Sequence, residues 1–169
     1  MSSAENGRHF CFHPQRDIVY FSNEQGCIVT AYALDTVAGT LAPFQIISTL
    51  PPEGYDGYAN CASIRIMHSG KFVFVLNRGY HSVACFAVDP DTGRLRMNQL
   101  ASLEFKPREL EIDPDDRFLF VVGDESGQMA SYRVLGDGKL THIESRFIGK
   151  NPRWVLAARP EPSFSGKSG

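Results

Sequence analysis

Arg108-Glu109-Leu110-Glu111-Ile112-Asp113-Pro114, then an apolar run over 118–122, Gly123-Asp124 and a strand-like stretch over 129–134, form one copy of a unit that occurs three times. The first copy reads Arg8-His9-Phe10-Cys11-Phe12-His13-Pro14, then apolar residues 18–21, Asn23-Glu24 and a strand-like run over 27–32. The middle copy reads Ser63-Ile64-Arg65-Ile66-Met67-His68-Ser69, then 72–76, Asn77-Arg78 and 82–87. Each continues into a glycine-bearing turn: Asp35-Thr36-Val37-Ala38-Gly39, Asp89-Pro90-Asp91-Thr92-Gly93 and Gly136-Asp137-Gly138. A fourth strand is expected after each turn, beginning near Phe44, Met97 and Thr141. The pairs Phe10/Phe12, Ile64/Ile66 and Leu110/Ile112 skip one residue, the period of a pleated strand. Turn residues interrupt every helical run before two turns can form.

Ser63, Arg108 and Arg153 recur at intervals of 45 residues, while Arg8 precedes Ser63 by 55 because residues 51–60 form an insertion. A period near 45 with four short strands per unit is the signature of a β-propeller blade. A β-sandwich would explain the alternation but not the period. The expected fold is all-β, a partial β-propeller of three four-stranded antiparallel blades plus one extra terminal strand. Residues 7–158 make up this segment. The extra strand is expected from a fourth repeat, Asn151-Pro152-Arg153-Trp154-Val155-Leu156-Ala157, and would complete a blade begun elsewhere. The tail, 159–169, is rich in Ser, Gly and Pro and is expected to be disordered. Its Gly166-Lys167-Ser168 lacks the upstream glycine and following helix of a phosphate loop.

Composition narrows the function classes. Hydrophobic residues make up 43% and charged residues 21%, normal for a globular protein. A net charge of -2 leaves no basic footprint for nucleic acid or an anionic membrane. No apolar stretch approaches the roughly 20 residues that span a bilayer, and residues 1–7 lack the apolar middle of a secretory signal. A cytoplasmic location is the expectation. Cys11, Cys27, Cys61 and Cys85 have no metal-ligand spacing and read as small buried hydrophobes. No metal or organic cofactor is expected.

Meander topology gathers certain residues on one face. Strand 1 starts and strand 2 ends there, which places Arg8, Glu24 and Arg78 around one mouth of the central channel together with the 51–60 insertion. Two arginines beside a carboxylate make an anion-recognition cluster, because the guanidinium fork matches carboxylate and phosphate oxygens. The same pair can stabilise a developing oxyanion. Positive neighbours favour the ionised form of Glu24, which suits it to orienting a water or an arginine. His9, Asn23, Asn77 and Tyr55 are the candidate substrate-binding residues. Tyr55 and Tyr58 are expected to anchor the insertion and partly line the pocket. His13 is assigned to turn chemistry and Trp154 to packing between blades. Asp89 and Asp91 are spaced as in a calcium loop, but the matching turns lack that pattern.

These motifs resemble, in order and over nearly the whole chain, those of the seven-bladed propeller lactonases. That family includes cycloisomerase-type 6-phosphogluconolactonases and carboxy-muconate lactonizing enzymes. Gly7-Arg8-His9 with His13-Pro14 resembles its arginine–histidine segment, and Ser22-Asn23-Glu24 its Asn-Glu strand end, 16 residues after the arginine. Ser48-Thr49-Leu50-Pro51 with Gly54 resembles its insertion, and Leu76-Asn77-Arg78-Gly79 its Asn-Arg-Gly motif. Lys106-Pro107-Arg108 with Ile112-Asp113-Pro114 resembles its next blade. The resemblance implies a seven-bladed parent fold and cofactor-free hydrolysis of a small anionic lactone, 6-phosphogluconolactone first, with Arg8, Glu24 and Arg78 as catalytic residues. The alternatives are a muconate-type lactonizing cycloisomerase and a non-catalytic remnant that binds partners. Two departures stand out. Asn6-Gly7 replaces the family's Gly-Pro, and the family's active-site histidine belongs to an earlier blade. About four blades are thus expected to lie outside this sequence, leaving open blade faces suited to self-association.

Overall fold

A strand covered on both faces must be apolar at successive positions, and Val73-Phe74-Val75-Leu76 meets that condition with every side chain fully buried. This strand belongs to the middle of three blades. The computed structural model describes residues 7–159. Blade one is β1 (Gly7–Phe12), β2 (Ile18–Asn23), β3 (Ile28–Asp35) and β4 (Thr40–Ser48). Blade two is β5 (Asn60–Ile66), β6 (Phe72–Arg78), β7 (Ser82–Val88) and β8 (Leu95–Ser102). Blade three is β9 (Glu109–Ile112), β10 (Phe118–Gly123), β11 (Gln128–Val134) and β12 (Leu140–Phe147). Each blade is a four-stranded antiparallel meander, and no helix occurs among the described residues. The innermost strands β1, β5 and β9 lie side by side.

Two apolar layers hold the blades together. Tyr20, Val29 and Ala31 of blade one meet Ile64, Val75 and Phe86 of blade two. Phe74, Leu76 and Val83 of blade two meet Leu110, Leu119 and Val121 of blade three. Each large side chain so buried contributes roughly 2 kcal/mol. Polar clamps fix the spacing. The Gln45 amide accepts from Leu95 N and donates to Leu95 O, both at 2.7 Å. Gln99 repeats this on Leu140, at 2.7 and 3.4 Å. Asp116 accepts the backbone N–H groups of His68 and Ser69 from the adjacent blade, each at 2.8 Å.

Three expectations need correction. The fourth strands begin earlier than expected, at Thr40, Leu95 and Leu140. Each carries a β-bulge, opposite Ala31/Tyr32, Cys85/Phe86 and Ser131/Tyr132, which breaks the alternation that would reveal the strand start. The repeat also slips by one residue in blade two. Phe10, Ile64 and Leu110 oppose Phe21, Val75 and Val121, so Ala62, not Ser63, is the counterpart of Arg8 and Arg108. A bulge in β1 and another in β5 conceal the offset. Finally, residues 151–159 form no strand. A strand needs a hydrogen-bonded neighbour, and none is present for this segment among the described residues. The tail expected to be disordered lies, beyond Arg159, outside the described residues.

The cysteines are free, and Cys27, Cys61 and Cys85 are buried. Burial pushes the thiols of Cys11 and Cys61 up to about 12, consistent with packing roles.

Candidate active site

Backbone register brings the expected charges together. Arg8 is the extra residue of a bulge: Gly7 pairs with Asn23 and His9 with Ser22, leaving Arg8 unpaired between them. Bulges re-aim side chains in this way. Glu24 directly follows β2, and its carbonyl accepts the Cys61 N–H at 3.1 Å. Cys61 pairs with Asn77, and Asn60 with Arg78. The start of blade two thus carries Arg78 to Glu24. Glu24 Oε1 lies 2.5 Å from Arg8 Nη1 and 3.9 Å from Arg78 Nη1.

Arg78 is the least satisfied member of the cluster. Its side chain is 13% exposed, and its buried Nε and Nη2 have no hydrogen-bond partner among the described residues; nor has Arg8 Nε. Burial lowers the Arg78 pKa, and the Arg8 and Arg108 guanidiniums add to the effect while Glu24 and Asp124 oppose it. Buried donors without acceptors are costly, and guanidinium donors are matched by an anionic oxygen. The cluster leaves guanidinium donors open beside a single carboxylate.

Arg8 also lines a cavity of about 380 Å³ with His9, Phe10, Arg65, Glu109 and Trp154. Burial holds His9 below its ordinary value, helped by Arg8, Arg65 and Arg78 and opposed by Glu109. That shift favours the neutral imidazole, which can accept a hydrogen bond. Across the cavity wall Arg65 bonds to Glu109 and Glu111, and Ser63 Oγ bonds to Glu109.

The remaining candidates divide. Asn23 and Asn77, expected to meet substrate, are both buried and direct their amides into the fold. Asn23 is buried and donates to Thr30 Oγ1 at 2.9 Å. Asn77, fully buried, donates to Thr49 O at 2.7 Å and Ser82 Oγ at 3.1 Å, and its Oδ1 lies 2.7 Å from Thr49 Oγ1. Both hold the turns from which Glu24 and Arg78 project. Tyr55 packs edge-on against Tyr80, centroids 4.8 Å apart, and does not line the cavity. Its role is to anchor the insertion. Gly79 helps, because at φ +80 a Cβ there would lie 2.0 Å from Tyr58 O. Trp154 reverses expectation: it is 74% exposed and lines the cavity instead of packing between blades, since its segment has no strand beside it. Arg108 and Asp124, missed in the sequence, form a further pair at 3.8 Å. Their separation of 16 residues, the same as between Arg8 and Glu24, is the signal that could have found them.

Side-by-side four-stranded blades with arginines gathered at one rim define a β-propeller segment. The chain belongs to the lactonase family: residues 2–157 match the family described as lactonase, 7-bladed beta-propeller. It is 32% identical over 140 residues to a 6-phosphogluconolactonase of Bacillus subtilis, a match covering 82% of this chain and 40% of that one. It superposes on a protein from Lactobacillus plantarum with a TM-score of 0.83 and 30% identity, covering 89% of this chain and 44% of the other. With the periplasmic gluconolactonase of Pseudomonas aeruginosa the TM-score is 0.84 at 27% identity, covering 95% and 45%. The chain thus spans less than half the length of the curated relatives it matches.

Proposed function

We propose that this chain contributes the arginine–glutamate half of a lactonase active site that hydrolyses a small anionic sugar lactone, 6-phosphogluconolactone first among them. The observation that carries the reading is Arg78, held beside Glu24 with two buried donors unsatisfied. Arg78 and Arg8 bind the anionic oxygens of the substrate, and Glu24 positions water. As that water attacks the lactone carbonyl carbon, negative charge gathers on the carbonyl oxygen, where guanidinium donors stabilise it. Collapse breaks the ring C–O bond. The water's protons pass to the departing alkoxide and to solvent, leaving a hydroxy acid as its carboxylate. His9, which lines the same cavity as Arg8, relays such a proton.

Support comes from the family and from relatives named as 6-phosphogluconolactonases. The reading places the protein in carbohydrate metabolism, in the pentose phosphate pathway, acting in the cytoplasm without nucleic acid or membrane partners. Among the described residues no helix is long and apolar enough to cross a membrane. The test is lactone hydrolysis by the chain, followed by proton release in weak buffer, against Arg78→Ala. Wild-type turnover above the spontaneous rate, reduced about 100-fold or more by the substitution, is the expected result. A rate no different from buffer alone removes catalysis from this chain.

A further inference from the structure

Glu24, Arg78 and Asp124 occupy one structural position in successive blades. Each directly follows the residue that closes the hairpin between the second and third strands, where Asn23 pairs with Ile28, Asn77 with Ser82 and Gly123 with Gln128. Around the mouth the position therefore reads acid, base, acid. The strand-start position adds Arg8 in blade one and Arg108 in blade three, with uncharged Ala62 between them. Three guanidiniums thus share two carboxylates.

The carboxylates are not evenly divided. Glu24 is committed to Arg8 at 2.5 Å. Arg78 stands 3.9 Å from Glu24, and Arg108 Nε 3.8 Å from Asp124, both beyond hydrogen-bond range. Arg78 also retains its unpartnered Nε and Nη2. Glu24 and Arg78 come within 3.9 Å across neighbouring blades, and the Glu24 carbonyl accepts from Cys61 at the start of β5. The same geometry one blade on sets Arg78 beside Arg108 at the start of β9, where Arg108 disfavours the charged form of Arg78. Lys106, two residues before Arg108, pairs with Glu125 at the exposed edge of the same turn.

Two adjacent guanidinium forks with open donors suit a ligand group carrying more than one negative charge and three acceptor oxygens. A phosphate monoester has a charge of about −1.5 to −2 near neutral pH and three such oxygens. A single carboxylate would satisfy one fork and leave the other open. We propose that Arg108 and Arg78 form a phosphate subsite, so that Arg108 selects phosphorylated over unphosphorylated lactones, with Asp124 holding Arg108 in place when the subsite is empty. The proposal rests on the lactonase reading for the identity of the sugar. The subsite itself is a matter of binding and stands apart from turnover.

Calorimetric titration of the chain with 6-phosphogluconate and with gluconate separates the two. Wild type is expected to bind the phosphorylated acid at least about tenfold more tightly. Arg108→Gln should erase that preference by weakening 6-phosphogluconate about tenfold while leaving gluconate unchanged. Asp124→Asn, which removes a competing carboxylate, should leave 6-phosphogluconate binding equal or tighter. Wild-type binding of both acids equally, or of neither, overturns the subsite. So does equal weakening of both acids by Arg108→Gln in a variant with an unchanged melting temperature. If Arg108→Gln does not fold, loss of phosphate preference in Asp124→Asn overturns it instead. Lactone turnover measured in parallel keeps the outcomes distinct. Phosphate-selective binding without turnover sinks the catalytic reading alone, whereas turnover without phosphate selectivity sinks the subsite alone.

Discussion

At the scale of single residues, the chemistry of the mouth depends on side chains that never face it. Asn77 is the clearest case. Its buried amide ties the end of β6 to Thr49, two residues before the insertion, and so sets where Arg78 projects. An asparagine beside an arginine in a turn has the composition of a binding motif, and burial is the property that a linear reading cannot see. Asn77→Ala would strand the Thr49 carbonyl in a dry site. Loss of about 3 kcal/mol of stability is expected, read as a lower urea midpoint at unchanged slope. Thr49 Oγ1 also lies 2.9 Å from Cys27 O, so its single proton still has an acceptor after the change. An unchanged urea midpoint would show that Asn77 does not hold this joint.

At the scale of strands and blades, the recurring devices are the bulged fourth strand and the glutamine that reaches across to the next blade. Gln45 is paired with Ala31 just beside the bulge, and Gln99 likewise with Cys85. The bulge turns the amide outward to meet the neighbouring backbone. In blade three Glu144 stands at this place, opposite Ser131, and pairs with Arg146. Among the described residues there is no further blade for it to clamp. Gln45→Ala should cost about 2 kcal/mol by leaving Leu95 N–H and C=O without these partners. Gln45→Glu keeps the acceptor and loses the donor, so its thermal midpoint should fall between wild type and Gln45→Ala. Equal midpoints for all three would mean that apolar packing alone sets blade spacing.

Across the whole molecule, the two outer faces differ in kind. On blade one the rows Phe10, Phe21, Thr30, Ile46 and Phe12, Val19, Tyr32, Pro43 run across all four strands on the side away from blade two. Phe10, Phe12 and Ile46 are 52%, 56% and 59% exposed, and Phe10 stacks on Phe21 with centroids 5.2 Å apart. The matching face of blade three mixes Phe120, Val122 and Met129 with Glu109, Glu111, Ser131, Glu144 and Arg146 in its cross-strand rows. An aromatic surface of this kind drives association. The chain on its own is therefore expected to sediment as a dimer or larger species. Phe10→Ser with Phe12→Ser should shift it toward monomer with blade two intact, as judged by near-ultraviolet circular dichroism. A wild-type monomer at tens of micromolar would contradict the expectation.

Although the extra strand expected over 151–157 was not formed, the recurrence of a four-stranded unit, the turn positions and the meeting of Arg8, Glu24 and Arg78 on one rim were legible in the sequence. Each depends on local rules: alternation along a strand, turn-forming residues between strands, and the parity that puts alternate strand ends on the same side. What only the tertiary structure decided depends on residues distant in the chain. Bulges in β1 and β5 hid a one-residue slip, because a bulge changes register without changing composition. The burial of Asn23 and Asn77, the exposure of Trp154, the open donors of Arg78 and the Arg108–Asp124 pair beside them follow from blade-to-blade contact. A side chain's nearest partners across that contact lie tens of residues away, so no local pattern records them.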